Sequence, residues 1–194
     1  VEIIQGPYKT FKEVILDKWV RVEEQLSWIF QIRLIANSGY ELLRVDYDRQ
    51  TGFAENISIK QNKKSHDYFK KTIGLKKDQL YISDINLNRE YNEVSYPLTS
   101  VIRYATPVFQ PSGQSAGIFV VNFFADNFIA IINNVLASSH GKTLLLDSRG
   151  NYLQGYNETQ SWAHELISPD SENFNHHYPS VWEKIIQQDS GNLL

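Results

Sequence analysis

The chain has 194 residues and a formal net charge of −3, and 42% of its residues are hydrophobic and 13% aromatic. That length suits one or two domains, and that hydrophobic fraction supplies a real core, which excludes wholesale disorder. The sequence contains no cysteine and no dense basic stripe, which excludes disulfides, thiolate metal sites and a cysteine nucleophile and argues against a nucleic-acid partner.

The first predicted element is a helix over residues 7–25. Apolar residues recur there at spacings of three and four, as on one face of an amphipathic helix. Thr10 precedes Glu13 by three residues, which is the spacing of a capping box. We therefore expect a long first helix that packs along a sheet or against a second copy of the chain.

A β-hairpin is predicted next. Residues 28–36 and 40–47 are rich in β-forming side chains and flank an Asn-Ser-Gly turn, in which Gly39 can adopt a positive φ. Residues 48–65 are polar and rich in turn formers, which indicates irregular structure. A short helix is then expected over residues 66–73, with Gly74 at its end.

The strongest strand patterns lie in the middle of the chain, at residues 101–109 and 117–124. The segment before them, residues 81–97, has no clean period and is predicted to be an ordered loop with short strand pieces. After them, Asp126 is expected to cap a helix that runs to residue 138.

The apolar run 116–137 is interrupted by Asn122, Asp126 and three further asparagines. Such residues are costly in hydrocarbon, so this run is predicted to be a strand and a helix rather than a membrane span.

The pattern then restarts. Residues 143–155 predict another hairpin, which turns on Asp147-Ser148-Arg149-Gly150 and repeats the first hairpin after roughly 110 residues, the length of one small domain. We interpret this as two copies of one module, with a helix at residues 1–27, a first module at 28–138 and the start of a second at 139–194. The second copy is expected to lack its last strands, and the absence of methionine predicts a piece of a larger protein.

In their order and spacing, these elements resemble the double-Cache (PDC, PAS-like) extracellular sensor domains of bacterial histidine kinases, diguanylate cyclases and chemoreceptors. The matching segments are QIRLIANSGYELLRVDYD, YISDINLNRE, the proline before VIRYATPVF, GIFVVNFFADNF, LLLDSRGNYL and HHYPSVWEKI. The resemblance covers essentially the whole chain.

The resemblance implies an α+β fold, in which a long N-terminal helix precedes tandem PAS-like modules with antiparallel sheets, the second of them incomplete. It implies a membrane-distal module that binds a small molecule, membrane helices outside this fragment, and a periplasmic or extracellular position on an inner-membrane protein. It also implies an output domain elsewhere in the protein. The segment itself is expected to be no enzyme and to need no cofactor.

Arg103 and Asn122 interrupt two apolar strands and are the first candidates for a ligand site. If Phe109 pairs with Ala116, antiparallel pairing places Arg103 opposite Asn122 on one face. A buried or half-buried arginine needs a partner, and a ligand carboxylate is a good one because the guanidinium group can bind it through two hydrogen bonds. The alternative is a structural ion pair of Arg103 with Asp84 or Glu90.

Further candidates combine an aromatic ring or a polar tip with proximity in sequence, and each also suits an ordinary core. They are Tyr81, Asp84, Tyr96, Tyr104 and Phe124.

Amino-acid-binding members of the resembled family carry an Arg-x-Trp-Tyr motif and an Asp on the strand held here by GIFVVNF. This chain has Asn122 at that position and lacks the motif. The resemblance therefore favours a carboxylate or neutral metabolite over an amino acid.

Arg33, Arg44 and Glu41 flank the first turn and are expected to form surface or sheet-face pairs. The five histidines show no paired-ligand spacing, so no metal site is predicted. The sequence also contains no P-loop or dinucleotide fingerprint.

Two functional hypotheses remain. The first is a ligand-sensing domain, in which the ligand orders residues 81–97 and moves the helix at 126–138. The second is a structural or dimerisation module without a small ligand, which forms a homodimer through the helix at residues 11–26.

Overall fold

A computed structural model describes residues 10–136, 143–169 and 171–191. The helices are α1 (Phe11–Gln25), α2 (Asp67–Ile73), α3 (Asp126–Leu136), α4 (Ala163–Leu166), α5 (Phe174–His177) and α6 (Pro179–Ile185). The strands are β1 (Ile29–Ala36), β2 (Glu41–Asp48), β3 (Phe53–Asn56), β4 (Tyr81–Ile82), β5 (Asn86–Leu87), β6 (Arg89–Glu90), β7 (Glu93–Val94), β8 (Ser100–Phe109), β9 (Ser115–Phe124), β10 (Leu145–Leu146) and β11 (Tyr152–Gln154).

The chain divides into two compact units. The first runs as far as Ser83 and resumes over Ile102–Phe124, and the second comprises Asp84–Val101 and the described residues from Ala125 onward. The predicted division at residues 27 and 138 and the tandem-module arrangement stay predictions. The predicted α+β class with antiparallel sheets and an N-terminal helix is confirmed.

The first unit is built on an antiparallel sheet with the strand order β3-β2-β1-β9-β8-β4. The hairpin turn between β1 and β2 requires Gly39, whose φ is +87° and whose missing Cβ leaves room for Lys64. Gly117 lets β9 approach the backbone of β1 at Ile35, where a side chain would collide with the carbonyl oxygen. Two close approaches thus depend on glycine.

Helix α1 packs on one face of this sheet. Its start is fixed by the predicted capping box, because Glu13 N donates to Thr10 Oγ1 at 3.3 Å and Thr10 N donates to the Glu13 carboxylate at 2.6 Å. Leu16 joins a core with Leu43 and Val45 of β2, and the Trp19 ring lies 5.5 Å from that of Phe119. Helix α2 covers the other face through Tyr68 and Phe69, which pack on side chains of β1, β8 and β9 (Ile35, Ala105, Ile118 and Val120).

The second unit has no large sheet among its described residues. It contains the two-stranded pairs β6–β7 and β10–β11, and β5 pairs with Ser100 and Val101 at the start of β8. The predicted turn at residues 147–150 is present, with φ of +85° at Gly150. Tyr152, Phe174 and Trp182 form its core.

Two predictions need correction. Strand β3 lies within residues 48–65, which were predicted to be irregular. Its sequence, FAEN, carries no alternating pattern, and it forms because its backbone pairs with β2. Asp126 is the first helical residue of α3 rather than the residue before the helix. Gly74 ends α2 as predicted, with a φ of −89°. Residues 137 and 138 of the predicted third helix lie outside the described residues.

Candidate functional site

One face of the sheet in the first unit carries an unusual number of buried polar side chains. Gln31 of β1 lies opposite Asn122 of β9 and Asp46 of β2, and Arg33 lies opposite Arg44. Residues directly opposite in an antiparallel pair point to the same face, so these five side chains share one face. With Glu41 they form what we call the polar cluster (Gln31, Arg33, Glu41, Arg44, Asp46 and Asn122).

Gln31 holds the centre of the polar cluster. Its Oε1 accepts from Arg33 NH2 at 2.6 Å and from Asn122 Nδ2 at 2.8 Å, while its Nε2 donates to Asp46 Oδ2 at 3.0 Å. Arg44 Nε also donates to Asp46, at 2.8 Å. Strands β1, β2 and β9 therefore all contribute side chains to a continuous hydrogen-bond network.

The network fixes the orientation of the Asn122 amide. Exchanging its nitrogen and oxygen would set two acceptor oxygens against each other at Gln31 Oε1, so Nδ2 must face Gln31. The Asn122 side chain is 1% exposed, and its Oδ1 has no hydrogen-bond partner among the described residues. An acceptor left in this state destabilises a fold by about 1–3 kcal/mol.

Glu41 supplies negative charge to the two arginines at the turn end of the cluster. Its carboxylate lies 3.4 Å from Arg33 Nε and 3.8 Å from Arg44 NH1, and it accepts from Gln61 N at 3.0 Å. The sequence-based expectation of surface pairs is wrong for these three residues, because all of them are buried. They form ion pairs on the face of the sheet, which is the alternative that the sequence analysis gave.

Arg103 is 8% exposed and lies near the cluster through Tyr68 of α2. The Arg103 guanidinium carbon is 5.5 Å from the Tyr68 ring centroid. Burial raises the pKa of the Tyr68 hydroxyl, and the positive charges of Arg33 and Arg103 oppose that rise. Arg103 N donates to Ser83 Oγ at 2.9 Å, so β8 is hydrogen-bonded to Ser83, the residue at which the first part of the first unit ends. The guanidinium groups of Arg33 and Arg103 thus both oppose the rise in the pKa of the same buried residue, Tyr68.

Tyr81 lies on the same side as these groups. It pairs with Ala105, is partly buried and packs against the core that contains Tyr68. Strands β8 and β9 are neighbours in the sheet, as predicted. The residue-by-residue register that would set Arg103 opposite Asn122 stays a prediction.

Two predicted site residues lie elsewhere in the first unit. Tyr104 follows Arg103 in the strand and therefore points to the opposite face, where its ring is 5.0 Å from Phe123, edge to face. Phe124 is buried against Phe30, and the Arg49 guanidinium carbon lies 3.5 Å from its ring centroid. The structure does not bring these two side chains into the hydrogen-bonded network.

The remaining predicted residues, Asp84 and Tyr96, belong to the second unit and are exposed. Within that unit, the segment between them is tied to α4 by one carboxylate. Glu165 accepts from Leu87 N at 2.8 Å, and its other oxygen lies 3.5 Å from Arg89 NH2. The segment 84–101 is thus anchored to a helix by a contact that spans 78 residues of the chain, a separation at which closing the loop carries an entropy cost.

Sequence reasoning missed Glu23, which lies on the α1 side of the sheet. Its side chain is fully buried, and neither carboxylate oxygen has a hydrogen-bond partner among the described residues. Burial raises the pKa of Glu23 to about 9, with a further rise from the charge of Asp46, while the Ile32 backbone and Arg33 oppose it. A glutamate on the apolar stripe of α1, one turn after Trp19, was the available signal.

The described residues contain no group of three or more His, Asp or Glu side chains placed to hold a metal ion. Among the same residues, no helix is both long and apolar enough to cross a membrane.

The whole chain, residues 1–194, matches a family model described as the sensor domain of bacterial histidine kinases. No curated protein sequence matches it.

Several solved structures share its fold. A domain of a sensory box/GGDEF family protein from Vibrio parahaemolyticus is 24% identical with a TM-score of 0.77, over 94% of this chain and 68% of the other. The extracellular domain of a protein described as a histidine kinase is 24% identical with a TM-score of 0.76, over 98% and 67%. The ligand-binding domain of an amino acid chemoreceptor from Pseudomonas aeruginosa, solved in complex with GABA, is 13% identical with a TM-score of 0.53, over 97% and 68%.

Proposed function

This chain belongs to the bacterial histidine kinase sensor-domain family, and we propose that its first unit binds a small carboxylate metabolite on the polar face of the sheet. Membership makes the segment a sensing rather than a catalytic domain. The proposal adds a binding site centred on Asn122 and Arg103, with Tyr81 beside them, and a conformational change that is passed to an output domain outside this chain.

The observation that carries the proposal is the buried Asn122 oxygen. Buried polar groups in native proteins are nearly always hydrogen-bonded, and Asn122 Oδ1 has no partner among the described residues. A ligand that donates a hydrogen bond at this position would satisfy it and recover the desolvation cost.

Buried guanidinium groups on this side of the sheet favour an anionic ligand. Arg33 and Arg103 are 2% and 8% exposed, and both act on Tyr68. A guanidinium group in a low-dielectric site binds a carboxylate through two parallel N–H···O bonds, which are stronger than neutral hydrogen bonds. A ligand with a carboxylate and a nearby donor would engage both features.

The donor on the ligand is better matched by a hydroxyl than by an ammonium group. Asn122 offers a neutral oxygen, and a buried ammonium group needs a full negative charge to offset its desolvation. A chemoreceptor domain of the same fold has been solved with GABA, which carries both a carboxylate and an ammonium group. We propose that the present site instead selects a small hydroxycarboxylate.

Signal output would use two connections that leave the site along the chain. Helix α3 follows β9, the strand of Asn122, and Asn133 of α3 donates to Gln154 of β11 at 3.0 Å. The segment 84–101 leads into β8, the strand of Arg103, and is held by Glu165. A ligand-induced shift of either strand would therefore change the second unit. Cross-links between α3 and β11 that do not depend on ligand would count against this route.

The extracellular relative supports a periplasmic or extracellular position for this unit, with membrane helices in the parts of the protein that flank it. In that position the site would sample metabolites outside the cytoplasm.

A thermal-shift series tests the site. Lactate, propionate, propionamide and alanine differ in the carboxylate, the hydroxyl and the ammonium group while keeping the same size. Stabilisation follows RT ln(1 + [L]/Kd), so millimolar concentrations reveal weak binding. We expect lactate to raise Tm most, propionate less, and propionamide and alanine least.

Three variants assign the effect. Asn122→Leu should abolish the advantage of lactate over propionate, and Arg103→Gln should abolish both shifts. Arg21→Gln, which removes an exposed arginine of α1, should change neither. If no carboxylate shifts Tm and Asn122→Leu stabilises the protein, the polar cluster is structural. That result would favour the dimerisation hypothesis. Sedimentation measurements of the oligomeric state of variants with changed surface residues on α1 would test it.

A further inference from the structure

A second feature of the first unit has the dimensions of a ligand site but none of the predicted site residues. It is an open groove of about 730 Å³ between residues 62–65 and helix α2. Its lining residues are Asn62, Lys64, Ser65, Phe69, Lys70 and Ile73. Ligand sites for small organic molecules fall in this range of volume.

The floor and the rim of this groove differ in chemistry. Phe69 is 3% exposed and belongs to the core on the α2 side, where Ile73 packs beside it, so together they provide an apolar floor. Lys64 and Lys70 are exposed and stand on the rim. Among the described residues, neither lysine has an ion-pair or hydrogen-bond partner for its ammonium group.

The rim is fixed by backbone contacts. Lys63 N donates to Gly39 O at 2.7 Å, Tyr40 bridges to Asn62, and Lys64 N donates to Asn62 Oδ1 at 2.9 Å. A Cβ at Gly39 would collide with Lys64, which shows how closely this segment lies on the first hairpin turn. The groove is therefore set by the fold, which lowers the entropy lost on binding.

Electrostatics favour an anion at this place. Residues 60–77 contain seven lysines and one aspartate, in a chain whose net charge is −3. One of these lysines, Lys71, lies over the Tyr81 ring at 5.6 Å from its centroid. The segment concentrates positive charge on one part of the first unit, and such a field raises the local concentration of anions.

We propose that this groove is a second ligand site, for an organic anion with an apolar body, distinct from the polar cluster. The carboxylate lies between Lys64 and Lys70, and the apolar body covers Phe69 and Ile73. An exposed ion pair alone contributes little, so burial of the apolar body must supply much of the affinity at roughly 25 cal/mol per Å². A small hydrophilic anion therefore does not suffice.

Phenylacetate is the probe, with acetate and phenylacetamide as the two half-ligands that lack the ring or the charge. Titrations followed by two-dimensional amide NMR should shift resonances of residues 62–73 with phenylacetate, and at least about tenfold more weakly with either half-ligand, as expected for loss of roughly 1.4 kcal/mol. Binding of all three with equal affinity would overturn the proposal, as would no shift at 10 mM phenylacetate, a concentration set by the expected millimolar affinity.

Two double variants with the same charge change separate the groove from the general field. Lys64→Gln with Lys70→Gln should weaken phenylacetate binding about tenfold, since two exposed ion pairs are lost. Lys76→Gln with Lys77→Gln removes two exposed lysines of the same segment that do not line the groove, and should weaken binding less than about twofold. Equal weakening by both would show diffuse attraction only and overturn the site.

The third variant, Asn122→Leu, separates the two proposed sites. Phenylacetate binding should survive this change, whereas the advantage of lactate over propionate at the polar cluster should not. Loss of phenylacetate binding in Asn122→Leu, with the fold intact by circular dichroism, would place the probe in the polar cluster and overturn the second site.

Discussion

The two faces of the sheet in the first unit bury carboxylates in opposite ways. On the α2 side, Glu41 has two arginines and a backbone amide as partners. On the α1 side, Glu23 has no hydrogen-bond partner among the described residues, and burial raises its pKa to about 9. A buried carboxyl either finds cations or keeps its proton, and one sheet here uses both solutions.

The difference follows from what each face receives from its neighbours. The α2 side takes side chains from three strands whose polar residues meet at the same level, at Asp46, Gln31 and Asn122. The α1 side takes an apolar helix stripe that packs on Leu43 and Val45. A network of charges therefore forms only where strand register brings polar side chains together, and the same residue type acts as an ion on one face and as a neutral acid on the other.

Glu41→Gln tests the ionic face and should have the largest effect. The amide cannot balance Arg33 and Arg44, so two buried cations lose their shared anion. Breaking a buried ion pair in this way costs about 3–5 kcal/mol. Urea unfolding of the variant should show that loss. The control is Glu24→Gln, the same change at an exposed glutamate of α1, which should change the free energy of unfolding by less than about 0.5 kcal/mol. A neutral Glu41→Gln would mean that the cluster is not energetically ionic.

Glu23→Gln is the same chemical change on the other face, and its effect should have the opposite sign at neutral pH. The folded protein holds a proton on Glu23 up to about pH 9, while the unfolded chain releases it near the ordinary value of 4.5. The folded state binds more protons in this window, so the contribution of Glu23 to wild-type stability is greatest below pH 4.5 and falls as pH rises toward 9. Glu23→Gln has no carboxyl group to ionise and therefore does not lose stability in this way as pH rises.

The measurement is the free energy of unfolding of both proteins from pH 5 to pH 9. The advantage of Glu23→Gln over the wild type should grow with pH by up to about 1.4 kcal/mol per unit. A constant difference across this range would show that Glu23 is ionised in the folded protein, and the contrast between the faces would then disappear.

The sequence predicts the elements of this fold better than its buried chemistry. Hairpin turns, the capping box and the long strands carry local signals, namely Gly39, the Thr10–Glu13 pair and runs of β-forming residues. Strand β3 was missed because pairing with β2, and not its own sequence, makes FAEN a strand.

The buried polar residues of the first unit were recognised only in part, because most of them depend on strand pairing rather than on local sequence. Asn122 and Arg103 stand out as polar residues within apolar strands. Gln31 and Asp46 do not, because their importance depends on the register that sets them opposite each other. Tyr104 was chosen for its proximity in sequence to Arg103, although alternation along a strand sends adjacent side chains to opposite faces. Glu23 was missed since the pattern alone does not say that a helix position is fully covered.

Thr10→Ala sharpens the comparison with the smallest expected effect, because it weakens α1 without touching either buried carboxyl. Thr10 Oγ1 accepts from Glu13 N and its backbone N–H is held by the Glu13 carboxylate, and loss of such a cap costs about 1 kcal/mol. Thr10→Ser, which keeps the hydroxyl, should recover most of the lost stability.

Because Glu23 lies more than three helical turns away from the cap, the pH dependence of stability should keep its slope in Thr10→Ala while the whole curve is lowered. A changed slope would mean that opening the start of α1 admits water to Glu23, and the dry α1 face would then depend on the cap as much as on the packing of Leu16 and Trp19.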